Sequence, residues 1–277
     1  MRRMQCPVKF GFLLLVLAGL PWADAAHGFG AEGHRVVGEI AEARLCAGAR
    51  AWIAPLLDGN SLANAGVWAD SIRDDPVWRH TGDWHFINVA DGESLERAMA
   101  RPGGNVLKAL ASARRDLADT RLPRARRAEA LRFFVHFTAD LHQPLHVGLG
   151  VDRGGNDIPV RWGRRELSLH EFWDASALLH AQGLDLAGLA ASIGALASGQ
   201  EAAWQASGPQ DWARESLALR PRVYALPSGG GRLRLDPQYV ATARNLVSLR
   251  LAEAGVRLAG QLNQLGCPGA AAAHPSR

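Results

Sequence analysis

Long apolar runs are nearly absent from this chain of 277 residues. The one such run, Phe10 to Leu20, is too short for a membrane-spanning helix, which needs about 20 apolar residues. It follows three basic residues and precedes the small residues of "ADAAHG", an arrangement typical of a secretory signal. We therefore expect residues 1–28 to be a signal peptide, with an N-terminal membrane anchor as the alternative. The mature protein should then be secreted or periplasmic, with no membrane association.

A large excess of charge of either sign is also lacking. Residues 1–28 hold three of the 31 Lys and Arg residues and one of the 27 Asp and Glu residues, which leaves 28 against 26. The remaining chain is therefore nearly neutral, although the pI of the whole sequence is about 9.4. Any polyanion that this protein handles must be attracted by something more local than a generally basic surface.

Cysteine is scarce, with three residues in the chain. Cys6 would be removed with the signal peptide, so the mature protein would keep Cys46 and Cys267. An even pair of cysteines in an exported protein favours one disulfide, which would join the first helix to the last. Two free buried thiols are the alternative.

The periodicity of the apolar residues is mostly helical. "GHRVVGEIAEARL" and "NVLKALASARRDLAD" predict helices, and "RRAEALRFFVHFTADLHQ" predicts a long one that ends at Pro144, since proline cannot continue the helical hydrogen bonds. A last helix is predicted from about Asp236 to Leu265, and "GGNDIPVRW" predicts a glycine turn leading into a short extended piece. The expected fold is all-α with a minor β-hairpin. It forms one domain over 29–267, with a disordered tail at 268–277.

Histidine and aspartate recur at helical spacing in two segments. His136 and Asp140 of "HFTAD", and His170 and Asp174 of "HEFWD", are each four residues apart, so both side chains of a pair lie on the same helix face. A single pair of this kind is usually a surface interaction. Two pairs, with His146 of "QPLH" close to the first, favour a metal site instead. Mixed imidazole and carboxylate ligands suit zinc at hydrolytic centres.

Six motifs in order give the chain a resemblance to a known family. "GHRVVGEIAEARL", "WADSIR", "WHFIN", "HFTADLHQPLH", "GGNDIPV" and "LHEFWD" cover almost the whole expected mature chain. In their order and approximate spacing they resemble the S1/P1 nucleases, zinc-dependent single-strand nucleases and 3′-nucleotidases. The resemblance implies a mainly helical fold like that of the zinc phospholipases C, with three zinc ions at the bottom of a cleft.

The resemblance also implies the ligands of each zinc ion. Asp140 should bind the first ion and bridge to the third, which also takes His34. The expected ligands of the first ion are Asp70, His85, His136 and Asp140, and those of the second are His146, His170 and Asp174.

The remaining ligands of the third ion would be the α-amino nitrogen and carbonyl oxygen of the first mature residue. In the family this residue is usually Trp and lies five positions before the histidine, which here is Phe29. A free amine has a pKa near 8 and can bind zinc, whereas a peptide nitrogen cannot. We therefore expect cleavage directly before Phe29. Cleavage after Ala25 is the alternative.

The resemblance implies catalytic or substrate-binding roles for five positions. Asp70 and Asp140 would be catalytic through the metal ions, and Arg73 would offset charge that develops on the scissile phosphate. Phe86 would stack on a base, and Asn88, where fungal members often have Asp, would contact it. The nine tryptophans are expected mainly in the core.

The expected activity is hydrolysis of single-stranded DNA, RNA and 3′-nucleotides to 5′-phosphate products, by a monomer. The alternatives are a zinc-dependent phospholipase C and a non-catalytic zinc-binding protein.

Overall fold

The fold is mainly helical, as the sequence predicts. A computed structural model describes residues 29–174, 179, 183–226 and 233–268. The predicted signal peptide and residues 269–277 of the predicted tail lie outside the described residues. Within the described residues, no helix is both long enough and apolar enough to cross a membrane.

The helices follow the order of the predicted segments and add several shorter ones. They are α1 (Gly30–Glu42), α2 (Ala47–Leu57), α3 (Leu62–Ser71), α4 (Leu95–Ala100), α5 (Val106–Ala118), α6 (Arg124–His142), α7 (Leu169–Asp174), α8 (Leu186–Gly194), α9 (Glu201–Gln205), α10 (Pro209–Val223) and α11 (Pro237–Gly266). Short 3₁₀ segments occupy Arg79–His85, Pro144–Val147 and Ala195–Ala197.

Two long helices form the centre of the molecule. Helix α6 packs against α5 and α3, while α11 packs against α1, α2 and α6. Helix α6 runs between two prolines, Pro123 at its N-cap and Pro144 just after its end. Asp236 is the N-cap residue of helix α11. Its carboxylate accepts the backbone N–H of Tyr239 at 2.7 Å, which satisfies a free donor of the first helical turn.

Close helix contacts at two glycines fix the position of α1. A Cβ atom at Gly38 would lie 2.4 Å from the backbone nitrogen of Ala63, and one at Gly255 would lie 2.4 Å from the side chain of Ile40. Larger residues at these positions would separate α1 from α3 and α11. Because α1 carries His34, these contacts also set where that imidazole lies.

The predicted extended piece is one strand of a small sheet. Strands β1 (Pro159–Trp162) and β2 (Arg165–Ser168) form the predicted antiparallel hairpin, with Val160 opposite Leu167. A third strand, β3 (Leu233–Arg234), pairs parallel to β1 and was not predicted. The hairpin leads directly into α7, which carries His170 and Asp174.

The predicted disulfide between Cys46 and Cys267 is present. Cys46 is the N-cap of α2 and Cys267 directly follows α11, so the bond joins the start of the second helix, rather than the first, to the end of the last. The cysteines are 221 positions apart in the sequence.

Replacing both cysteines with serine should lower the free energy of unfolding by roughly 2–5 kcal/mol, because the unfolded chain regains the freedom that the crosslink removes. The melting temperature should fall on the order of 10 °C. Thermal unfolding with and without reductant measures this. The wild type in reductant should match the variant, and unchanged melting of both would contradict a stabilising crosslink.

Candidate metal centre

The predicted site residues come from separate elements that meet around α6. Helix α1 supplies His34, α3 supplies Asp70, and the 3₁₀ segment at Arg79–His85 ends with His85. Helix α6 supplies His136 and Asp140, and the turn that follows supplies His146. Helix α7 supplies the pair His170 and Asp174. All of these side chains are buried or nearly buried.

Three groups of these side chains place their ligand atoms close enough together to hold a metal ion. One contains His34, His136 and Asp140; another contains Asp70, His85 and His136; the third contains His146, His170 and Asp174. The group of His146, His170 and Asp174 has the members expected for the second ion. The other two groups contain the side chains expected for the first and third ions, but His136, expected at the first ion alone, belongs to both. Their metal occupancy remains a prediction.

The ligand atoms of His85, His136 and Asp140 are spaced as neighbouring ligands of zinc. His85 Nδ1 lies 3.0 Å from Asp140 Oδ2, and His136 Nε2 lies 3.1 Å from the same oxygen and 3.0 Å from His85 Nδ1. Zinc bonds of about 2.0–2.1 Å in tetrahedral geometry separate neighbouring ligands by roughly 3.3 Å.

Asp140 is placed to bridge these two groups. Its Oδ1 lies 3.5 Å from His34 Nε2, while its Oδ2 faces His85 and His136. One carboxylate therefore presents a different oxygen to each group, which fits the predicted bridging role.

Several buried polar atoms of the centre have no hydrogen-bond partner among the described residues. They include both ring nitrogens of His34, Asp140 Oδ1 and Asp174 Oδ2. An unsatisfied buried polar atom is costly; one bound cation would satisfy a ring nitrogen of His34 together with Asp140 Oδ1, and another would satisfy Asp174 Oδ2. The donor set therefore fits a metal.

Backbone carbonyls orient three of the imidazoles. The Nδ1–H of His136 donates to Gly66 O at 2.6 Å, that of His146 donates to His85 O at 2.7 Å, and that of His170 donates to Gly154 O at 2.7 Å. Each bond fixes the tautomer, and it leaves the Nε2 lone pair as the ligand.

Burial and neighbouring charges shift the pKa values of this centre in opposite directions. Burial lowers the pKa of His34 to about 3, and the neighbouring His136 adds to that shift. Burial also acts against protonation of His136, but the carboxylates of Asp140 and Asp70 outweigh it and raise the pKa of His136 to about 9. Burial opposes the charge of Asp140 as well, yet His136 and His146 hold its pKa well below the usual range.

The predicted substrate residues line a cleft beside these groups. Arg73, Phe86 and Asn88 share a cavity of about 500 Å³ with His146 and His170. The walls of this cleft therefore bring together a cation, an aromatic ring and an amide next to the candidate ligands. Asn156 also lines it and donates to Arg153 O at 2.7 Å.

Phe29 lies directly before α1 and is buried, with a backbone φ of 28° that side-chain-bearing residues rarely adopt. Gly33 permits this packing, because a Cβ there would lie 2.7 Å from that of Phe29. The ligand role of Phe29 remains a prediction.

Sequence reasoning missed the function of Gln143. Its Nε2–H donates to Asp174 Oδ1 at 2.8 Å, which orients a candidate ligand of the third group. The two residues are 31 positions apart, and the "HQPLH" motif does not indicate the pairing. His142, by contrast, lies outside the metal groups, where its Nε2 accepts a bond from Arg257 at 3.0 Å.

Comparison with known proteins identifies the family. The model of the S1/P1 nuclease family matches residues 29–266. The chain belongs to the S1/P1 nuclease family. It is a nuclease, and the family assignment favours this activity over both alternatives.

Similar curated proteins include plant and fungal nucleases. The chain is 31% identical to Endonuclease 4 of Arabidopsis thaliana over 269 residues, which cover 86% of this chain and 89% of that protein. It is 30% identical to Endonuclease 2 of the same plant, covering 88% and 92%. It is 28% identical to Nuclease P1 of Penicillium citrinum, covering 86% and 97%.

Gln143→Leu should weaken one metal site of this S1/P1 nuclease about 10–100-fold, because Asp174 loses its orienting donor. Metal content measured against increasing chelator should show one class of ion released early, with the others unchanged. Gln205→Leu is a matched control, since that amide also donates to a residue distant in the sequence, the backbone oxygen of Val256 at 3.3 Å, away from the centre. Identical metal retention in both variants would contradict the orienting role.

Proposed function

We propose that this protein is a secreted or periplasmic, monomeric zinc nuclease that hydrolyses single-stranded DNA, RNA and 3′-nucleotides to 5′-phosphate products. The observation that carries the proposal is the position of the three candidate metal groups. Two of them meet at Asp140, and the third, through His146 and His170, lines a cleft that also presents Arg73, Phe86 and Asn88. The working domain would be 29–267.

The side chains of the three groups would hold three zinc ions. Asp70, His85, His136 and Asp140 would bind the first, and His146, His170 and Asp174 the second. Asp140 and His34 would bind the third, together with Phe29. Bound zinc supplies Lewis acidity, which lowers the pKa of water toward neutrality and stabilises negative charge on phosphate oxygens.

The cleft residues would select and orient the substrate. The half-buried ring of Phe86 offers a face for one base, and stacking favours unpaired strands because bases within a duplex expose no face. The Asn88 amide can both donate to and accept from a base edge, so it accommodates more than one base. Arg73 would bind the scissile phosphate and offset the charge that develops there.

The proposal predicts faster hydrolysis of single-stranded than of duplex DNA, with no release of diacylglycerol from phosphatidylcholine. Asp140→Asn should lose two of three zinc ions and nearly all activity, since one carboxylate serves two groups. Asp75→Asn, which removes an exposed carboxylate, is the control. Parallel assays and a zinc count test this. Diacylglycerol release alone would indicate a phospholipase, and normal turnover by Asp140→Asn would refute the bridge.

Export is supported by the N-terminal segment and by the disulfide, which is a bond of oxidising compartments. Sequencing the N-terminus of the exported protein should yield Phe29 first, with three zinc ions per chain. A variant that keeps Ala26–Gly28 ahead of Phe29 should bind one ion fewer, since its Phe29 nitrogen is an amide. Three ions in that variant would contradict the role of the amine.

A further inference from the structure

A second cavity lies beside the metal centre and has no part in the proposed mechanism. It measures about 150 Å³, and its aromatic lining consists of Trp78, His80, Trp84, Phe133 and Phe137. None of its lining residues lines the cleft. It is called the aromatic cavity below.

The backbone places the aromatic cavity next to the cleft. Three consecutive residues belong to three different sites: Trp84 to the aromatic cavity, His85 to the metal groups and Phe86 to the cleft. Two peptide units separate Trp84 from Phe86, so their Cα atoms are at most about 7.6 Å apart. Phe137, on the inner wall, lies with its ring centre 5.3 Å from that of His85. A strand leaving the cleft needs only a few nucleotides to reach this cavity.

The tryptophans of the aromatic cavity differ from those of the core. Trp173 and Trp212 are fully buried, as expected for apolar fillers, whereas Trp78 and Trp84 are half-buried and His80 is exposed. The His80 ring is stacked on Trp78 with 6.2 Å between centres and meets Trp84 edge-on at 5.2 Å. A cavity of about this volume with an apolar lining is large enough for one benzene-sized ring.

An arginine-rich segment of the chain borders the aromatic cavity. The segment 114–132, called the arginine segment here, contains seven arginines against three acidic residues, within a mature chain that is otherwise close to neutral. Arg126 of this segment lines the cavity; it pairs with Glu129 at 2.7 Å across one helical turn, and 58% of its side chain stays exposed. Arg132 lies over the ring of Trp68, which contacts Trp78. Half-buried aromatic rings combined with local arginines are the features that bind single strands.

We propose that the aromatic cavity binds one base of a single-stranded DNA or RNA substrate outside the cleavage cleft, with the exposed Arg126 contacting an adjoining phosphate. This inference rests on the proposed function. Asp116, the other acidic group in the lining, can accept hydrogen bonds from exocyclic amino groups, so cytosine is favoured over thymine and uracil. Long strands occupy both sites, whereas 3′-mononucleotides occupy only the cleft.

Removing one charge from the arginine segment tests the phosphate contact. With the zinc-loaded enzyme, Arg126→Gln should raise KM severalfold for a long single-stranded oligonucleotide and reduce the salt slope of its binding by about one. KM for a 3′-mononucleotide should stay the same. Arg214→Gln is the matched control, because Arg126 and Arg214 are both exposed and both pair with a carboxylate three positions away. Equal effects of the two variants on the long strand would overturn the contact.

Removing one ring tests the base site. Trp78→Leu should raise KM for the long strand about tenfold or more with kcat unchanged, since base stacking is lost, and Trp78→Phe should restore most of the effect. Trp204→Leu, which removes a half-buried tryptophan of α9, is the control. Asp116→Asn should reduce the preference for oligo(dC) over oligo(dT) and remains informative if Trp78→Leu does not fold.

The outcomes separate this proposal from the proposed function. If the cavity variants Arg126→Gln, Trp78→Leu and Asp116→Asn lower activity on long strands and on 3′-mononucleotides by the same factor, the aromatic cavity is not a base site. The nuclease assignment would stand in that case. If the wild type cleaves no nucleic acid of any length, the proposed function itself is wrong.

Discussion

The burial of the Asp140 carboxylate is the constraint on which the surrounding structure depends. It lies with no solvent exposure in a helix whose neighbouring residues are mainly apolar, and an isolated charge there would be prohibitively unfavourable. Imidazoles from α1, α6, the Arg79–His85 segment and the turn after α6 converge on its two oxygens. The packing of four separate elements is therefore tied to surrounding this one carboxylate with imidazoles.

The end of α6 shows a second use of buried charge. Pro144 stops the helix and leaves its last carbonyls without helical partners, so Ser216 donates to Leu141 O at 2.7 Å and Arg250 donates to His142 O at 3.1 Å. Arg250 and Arg257 are buried and share Glu215. Buried ion pairs of this kind contribute little net stability, and their value lies in fixing one arrangement. The arrangement fixed here is the turn between Asp140 and His146.

Helix periodicity, the prolines and the glycine turn were enough to predict α1, α5, α6, α11 and the hairpin, because each signal is local in the sequence. Strand β3 has two residues and depends on pairing with a strand about 70 positions earlier, so no local pattern indicates it. The pairs on α6 and α7 could be predicted from spacing alone. Asp70 and His34 could be assigned only through the family resemblance, and the bond from Gln143 to Asp174 only from the structure.

The disulfide gives the molecule a particular tolerance to proteolysis. Cys46 and Cys267 enclose all the elements from α2 to α11, so the chain between them is a closed covalent ring. A single peptide bond broken anywhere within that ring leaves one molecule whose parts are still covalently connected. The exposed loops on the ring, including the turn between β1 and β2, can therefore be nicked once without release of a fragment. Such a nick need not separate α6 from α7.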